Sequence, residues 1–320
     1  MPRIRVNWLP RTLETTRAVA AATERCGLDG LGVCDSPSGI DVYVAIAAAV
    51  DVTEHIAIGS NVTNPTTRTP AVHAAAVRGL AELGPGRIFA GFGTGDSAVR
   101  GERGKPATLA QLEAALARVR ADAPAGVPLN VAAGGPRGAA LAGRVADGLV
   151  AGAGRDAGLL RRLHDAALAS SVTGDVELWA SLRVAVGGDS SHVAALRRAM
   201  APRAASAARF NLAGVTADEI EARGVPRRHA DRLAGAFAEY DFEWHGRAAS
   251  ENPNRLLLDD DPELEEYLVD RYAVIGTVTD VAARLAELDG AGVTGVFASV
   301  LFEDPIPEIE RLGRALAEVR

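Results

Sequence analysis

Gly134-Gly135-Pro136-Arg137 is the plainest of several turns in this chain that could hold an anion. The two glycines expose backbone N–H groups, Pro136 suits the first position of a helix, and the free donors there attract negative charge. Arg137 adds a full positive charge. The same residues would also make an ordinary tight turn from strand to helix, so residue type alone leaves both readings open. Asp35-Ser36, Asn61-Val62-Thr63-Asn64, Gly93-Thr94-Gly95-Asp96, Ala133 and Gly152 share that context, each where an apolar run gives way to small or polar residues. Asp96 there either meets a ligand or caps the next helix. None of His55, His73, His164, His192, His229 and His245 has metal-ligand spacing with another His or Cys, and no metal is expected. His73, His164, His192 and His229 fall in helical patterns and read as surface or satisfied side chains. Without a nucleophile elbow, a Gly-Lys-Ser/Thr loop or a Cys-His pairing, hydrolase, nucleotidase and thiol chemistry have little support.

The elements that must position these turns alternate almost from the first residue. Ile56–Ala98 reads as one βαβ unit: two apolar runs ending in polar loops, joined by a helix that Pro70 opens and Gly84-Pro85-Gly86 stops. Strands are expected at Ile4–Trp8, Gly30–Cys34, Ile56–Gly59, Ile88–Phe92, Val127–Val131, Gly148–Ala151, Val176–Val186 and Val293–Val300. The 3.6-residue period marks helices at Leu13–Cys26, Leu109–Ala121, Ala139–Ala146, Ala157–Ala169 and His192–Ala201. Continuous apolar strands with helices between them predict an α/β fold with a parallel sheet buried on both faces, closed as a (β/α)8 TIM barrel. Residues 1–320 are expected to form a single barrel domain, with a helical insertion at about 187–272 over the C-terminal mouth. An open doubly wound sheet is the rival, but Gly91-Phe92-Gly93-Thr94-Gly95 lacks the third glycine of a dinucleotide loop and falls on the fourth strand. In a barrel the active site lies where strands hand over to their loops, which is where all the turns named above fall.

Composition sets outer limits. With 48% hydrophobic residues the chain can bury a large core, and its 320 residues suit one α/β barrel. A net charge of −7 with no basic stripe gives no sign of nucleic-acid binding. Cys26 and Cys34 are expected to be reduced, and no apolar run has the length of a signal or membrane span. A soluble cytoplasmic enzyme with no membrane partner is expected.

Particular words along the chain resemble the luciferase-like monooxygenase superfamily, in particular its deazaflavin-using, methylenetetrahydromethanopterin-reductase-like branch. They are Val33-Cys34-Asp35-Ser36, Asp41-Val42-Tyr43, Gly59–Pro65 with Thr67–Pro70, Gly86-Arg87 leading to Gly93–Ala98, Ala132–Arg137, Leu141–Gly143, Ala146–Gly148 and Asp270–Thr277. The resemblance is dense over residues 3–153, thin over 155–258, and returns from 263. It implies a hydride-transferring oxidoreductase, a homodimer, that uses the deazaflavin F420 on a small organic substrate. A monooxygenase using reduced FMN and oxygen is the alternative. The resemblance implies that Gly134–Arg137, with Gly152 nearby, holds the cofactor phosphate, and that Asp35 hydrogen-bonds its ring or polyol. It implies a non-proline cis peptide at Asn61–Val62, and cofactor contacts from Asn61, Val62, Thr63, Asn64, Gly93, Thr94, Gly95, Asp96 and Ala133. Ser36 stands where many relatives place a histidine, so no histidine acid acts there. Tyr240–Arg247 resembles a word of the late insertion and makes His245 a candidate proton donor beside Trp244. The departures at Ser36 and Asn61 leave a non-catalytic flavin-binding homologue as a third reading.

Overall fold

Short runs buried on both faces dictate the sheet. Gly30–Val33, Ile88–Phe92, Gly148–Ala151 and Gly295–Ser299 are buried at every residue. Such runs are stable as parallel strands covered by helices on one side and by each other on the other. The computed structural model describes residues 1–36, 39–212, 215–241, 253–254, 260–300 and 303–318. In chain order the first half comprises β1 (Arg3–Trp8), α1 (Leu13–Arg25), β2 (Gly30–Val33), α2 (Val42–Val50), β3 (Ala57–Thr63), α3 (Pro70–Leu83), β4 (Ile88–Phe92), α4 (Asp96–Gly101) and α5 (Leu109–Asp122). Next come β5 (Leu129–Ala133), α6 (Pro136–Val145), β6 (Gly148–Ala151), α7 (Ala157–Leu168) and β7 (Glu177–Val186). Then follow α8 (Ser190–Leu212), α9 (Ala217–Ala222), α10 (Arg227–Ala236) and α11 (Pro262–Tyr272). The chain closes with β8 (Ala273–Gly276), α12 (Val278–Gly290), β9 (Gly295–Ser299) and α13 (Pro305–Ala317).

Strands β1 to β6 neighbour one another in sequence order, β6 pairs β7, β7 pairs β9, and β9 returns to β1. All these pairings are parallel, and the ring they close is the expected eight-stranded barrel. Side-chain caps start several of its helices. Thr12 accepts the Thr15 N–H at α1, Asp41 accepts those of Tyr43 and Val44 at α2, and Thr108 with Gln111 forms a capping box at α5.

Three differences from the expected elements have physical causes. Strand β3 continues past Gly59 to Thr63, because its pairing with β4 shifts register between Ser60 and Thr63 and then resumes. Strand β8 is a ninth strand outside the barrel. It pairs with Arg183–Val186, the end of the long β7 that runs past the rim where β9 stops at Arg183. Helix α8 passes through Pro202 as one element and runs well beyond the expected His192–Ala201. Among the described residues no helix is long and apolar enough to cross a membrane, and both cysteines are free.

Inside the barrel, large and small residues face each other. Phe89, Trp179 and Phe297 fill its lower half, with Trp179 and Phe297 rings 5.0 Å apart. The Arg5 guanidinium enters this cluster from β1, 4.2 Å from the Phe89 ring and 4.1 Å from the Trp179 ring. Burial pushes its pKa down to about 10, which leaves it charged and held by the ring faces. Space for these rings comes from glycine on neighbouring strands. A Cβ on Gly32 would stand 2.8 Å from Phe297, and one on Gly295 would run into the Trp179 ring. Gly295→Ala should therefore destabilise the protein by about 1–3 kcal/mol, the usual cost of overpacking, seen as a lower urea midpoint. An unchanged midpoint would mean that the interior is looser than this packing.

Candidate active site

Above that aromatic floor the barrel interior turns polar. The Asn7 amide donates to Ser299 Oγ at 3.0 Å, and Asn61 Nδ2 donates to Asn7 Oδ1 at 2.8 Å. Cys34 Sγ donates to the same Asn7 oxygen at 3.5 Å, and burial pushes its thiol pKa up to about 11. These side chains form the base of a cavity of about 1180 Å³ at the C-terminal ends of the strands. Helices α8 and α10 supply the opposite wall, with Arg203, Ser206, Arg209, Phe210 and Leu233 among its lining.

The expected residues distribute as follows. Asp35, Ser36, Asn61, Val62, Asn64, Gly93, Thr94, Gly95, Asp96, Ala133, Gly134 and Gly152 all line this cavity. Thr63, Gly135 and Arg137 do not. Thr63 is fully buried behind Asp35, donating its hydroxyl to Asp35 Oδ2 at 2.6 Å. Arg137, in the first turn of α6, is exposed. Trp244 and His245 lie outside the described residues. The peptide bond Asn61–Val62 is cis.

Asp35 is held by charge. Arg68 Nη1 lies 2.6 Å from Asp35 Oδ2, and Arg68 Nη2 lies 2.7 Å from Asp41 Oδ2. Asp41 is also the α2 cap, so one guanidinium locks the end of β2 to the start of the next helix. Burial acts to raise the Asp41 pKa, but Arg68 and the capping N–H groups outweigh it and hold it below the carboxylate range.

Behind β3 stands a residue that the sequence placed only as a satisfied histidine. His73 is completely buried on α3, with Nε2 3.0 Å from the Asn64 carbonyl and Nδ1 2.5 Å from the Tyr43 hydroxyl. Nε2–H donating to Asn64 leaves Nδ1 to accept from Tyr43. Asn64 Oδ1 in turn accepts the Thr66 and Thr67 N–H groups, which fixes the loop after β3. Burial lowers the His73 pKa, so the ring is neutral in the folded protein. As pH falls below about 6.5 the unfolded chain takes up a proton that the native ring resists, and stability should fall with it. Melting curves should show this acid-side loss in the wild type and a flatter profile in His73→Gln. Identical pH profiles would remove His73 as the cause.

Asp96 lines the cavity and has ion-pair partners that neither expectation named. It occupies the first position of α4 after Gly95, whose φ of +85° makes the sharp entry. Its carboxylate takes Arg209 Nη2 of α8 at 2.5 Å and Arg100 Nε at 2.6 Å. Burial alone would raise its pKa, but the two arginines hold it below the usual range. Asp96 is thus the latch between the barrel and its helical cover.

The glycine wall has the openness a ligand needs. A Cβ at Gly152 would meet nothing within 4 Å, and α6 begins at Gly135 with no side-chain cap. Asn211 of α8 packs against Gly134, and its Oδ1 is buried without a hydrogen-bond partner among the described residues, as is Asn61 Oδ1 on the cavity wall. Arg223, just after α9, brings a guanidinium nitrogen 3.9 Å from where a Gly135 Cβ would stand. Arg223, Arg203 and Arg209 carry no local signal, since arginines in a helical insertion look like any solvated helix face, and Arg183 falls inside an apolar strand run that marks it only as part of β7.

A closed parallel barrel with its strand ends and helical cover around one large cavity defines a barrel enzyme for small organic ligands. The luciferase-like monooxygenase profile matches residues 6–121 and 110–295, and the chain belongs to that family. It is 27% identical over 312 residues to 5,10-methylenetetrahydromethanopterin reductase of Methanolobus tindarius, covering 87% of this chain and 88% of that one. It is 30% identical over 227 residues to the F420-dependent glucose-6-phosphate dehydrogenase of Beutenbergia cavernae, covering 56% of this chain and 66% of that one. In fold it matches the coenzyme F420-dependent tetrahydromethanopterin reductase from Methanopyrus kandleri, with TM-score 0.74, 19% identity, and coverage of 100% and 99%.

Proposed function

We propose that this protein is an oxidoreductase that uses the deazaflavin F420 and moves hydride between its ring and a small organic substrate. The observation that carries the reading is the reductase likeness, which spans 87% of the chain. The residues present fit such a cofactor. Asn61 Oδ1 is a buried acceptor with no partner among the described residues, and Gly152 leaves open the space a side chain would fill. When bound, the deazaflavin supplies a two-electron hydride carrier that reacts poorly with oxygen.

Asp35 and Asn61 would hold the cofactor ring, and the backbone at Gly134, Gly135 and Gly152 would take its phosphate at the uncapped start of α6. The latch from Arg209 to Asp96 keeps the cover closed over the strand ends, which excludes water from the hydride path. Tyr240 lines the cavity, and burial raises its pKa, so its hydroxyl keeps a proton to give at neutral pH. The cytoplasm is the natural compartment for free cysteines. A homodimer would cover Val44 and Val72, each about 50% exposed on the adjacent helices α2 and α3.

Titrating the apo-protein with F420 and with FMN tests the cofactor. F420 should bind more tightly, and the reduced deazaflavin should turn over without oxygen; tighter FMN binding with stoichiometric oxygen uptake would place the enzyme among the oxygenases. Arg223→Ala should weaken F420 binding by roughly 1–3 kcal/mol, the range for a charge-assisted hydrogen bond, and Arg137→Ala by less. The reverse order would return the phosphate contact to Arg137. Tyr240→Phe should lower kcat by about 10²–10⁴-fold with little change in KM. If Tyr240→Phe turns over normally and His245→Ala does not, the proton comes from His245.

A further inference from the structure

The cavity wall is chemically divided by strand. From β2 round to β6 it offers glycines, asparagines, the carboxylates of Asp35 and Asp96, each already paired with arginine, and, at α4, Glu102 and the Arg100 that pairs with Asp96. From β7 through β9 to β1, with α8 above, it offers Arg183, Arg203 and Arg11. Arg183 stands on β7 opposite Ser299 of β9, two residues above Ser181, where β7 leaves the barrel. It is half-buried and makes no hydrogen bond or ion pair among the described residues. Cys34, Tyr240 and Tyr272, all kept protonated at neutral pH by burial, act on its charge, and Arg203 faces it as a like charge. Burial lowers the Arg183 pKa to about 10, which leaves it a cation.

Arg203 donates Nη1 to the Val300 carbonyl at 2.7 Å, and burial brings it to about 10 as well. It feels Arg183 and Arg11 as like charges and Glu303 as the opposing one. Among the described residues lining this sector, Arg183, Arg203 and Arg11 are the cations and Glu303 the carboxylate, and Arg183 is the cation that no side chain of the sector pairs. A guanidinium withdrawn from bulk water without a counter-ion is costly, and its planar donors suit carboxylate and phosphate oxygens.

We propose that the β7–β9–β1 sector is the subsite for an anionic group on the organic substrate, a carboxylate or a phosphate monoester, and that Arg183 selects it. The proposal rests on the F420 reading for what fills the rest of the cavity, whereas the charge pattern stands independently of it. Calorimetric titration of F420-loaded protein with inorganic phosphate and with succinate, and with glycerol as the neutral control, tests it. At least one anion should bind, glycerol should not, and Arg183→Gln should weaken the anion about tenfold, the loss expected for one charge-assisted contact. Arg183→Lys should fall between the two, and Arg203→Gln should also weaken binding, with melting curves establishing that each variant is folded.

Equal anion affinity in Arg183→Gln and wild type, or no anion binding to wild type, would overturn the proposal. Fluorescence titration with F420 and with its chromophore lacking the phosphate and glutamyl tail separates the other anion source. If Arg183→Gln weakens F420 but not the tail-less chromophore, Arg183 holds the cofactor tail and the substrate subsite is refuted. Should the wild type take up no F420, the cofactor reading fails by itself. The same anion titrations on the apo-proteins then decide the subsite, because the glycine wall is common to wild type and variant.

Discussion

The contact between Arg209 and Asp96 is what turns an open barrel end into an enclosed chamber. Arg209 has a side chain only 2% exposed, so its charge needs compensation within the protein. Asp96 supplies the counter-charge from the strand-to-helix turn after β4, and the rings of Phe210 and Tyr240 flank the guanidinium at 4.8 and 4.7 Å. One of the cover's fixing points is therefore a single turn of the barrel. Arg100 gives Asp96 a second cation, so the carboxylate stays ionised well into the acid range. Helix α8, locked there, brings Arg203 and Asn211 to the cavity and the Gly134 turn.

Beneath the chamber, the barrel is stabilised by contrasts of size and charge. The outer faces of the strands, with residues such as Ile4, Val6, Leu31, Ile58 and Val131, join the helices in one apolar layer. The inner faces carry Arg5 among rings, then Asn7, Asn61 and Ser299, a gradient from packed aromatics to hydrogen-bonded amides. A second apolar cluster belongs to the cover itself, where Leu196, Met200, Leu233 and Leu268 pack with Ile275 of β8. The cover has its own core but is anchored through β8 to the tail of β7.

Much of the fold was legible because its signals are local. Each barrel strand is a short apolar run, and the helices between them carry their own period or caps, so the βα alternation could be read residue by residue. The strand-end turns were legible for the same reason. What could not be read depends on partners distant in sequence. Ala273–Gly276 becomes a strand because β7 happens to run past the rim and leave hydrogen-bonding groups unpaired. The ion pair of Asp96 with Arg209, 113 residues away, has no local signature. Arg137 is exposed on the first turn of α6, and the approach of Arg223 to the same turn comes from far along the chain and has no local signal. His73 carried no pattern beyond a helical period, yet it holds the Asn64 loop through Tyr43 and a carbonyl.

The order of elements has a consequence for how such a protein can diverge. The glycine turns belong to β4, β5 and β6, whereas the cover is spelled by one uninterrupted stretch between β7 and β8. Insertions, deletions or wholesale replacement within that stretch leave every glycine turn in place. A lineage descended from this architecture can therefore exchange one clientele of small molecules for another by rewriting a single segment, provided that it keeps an arginine to answer Asp96.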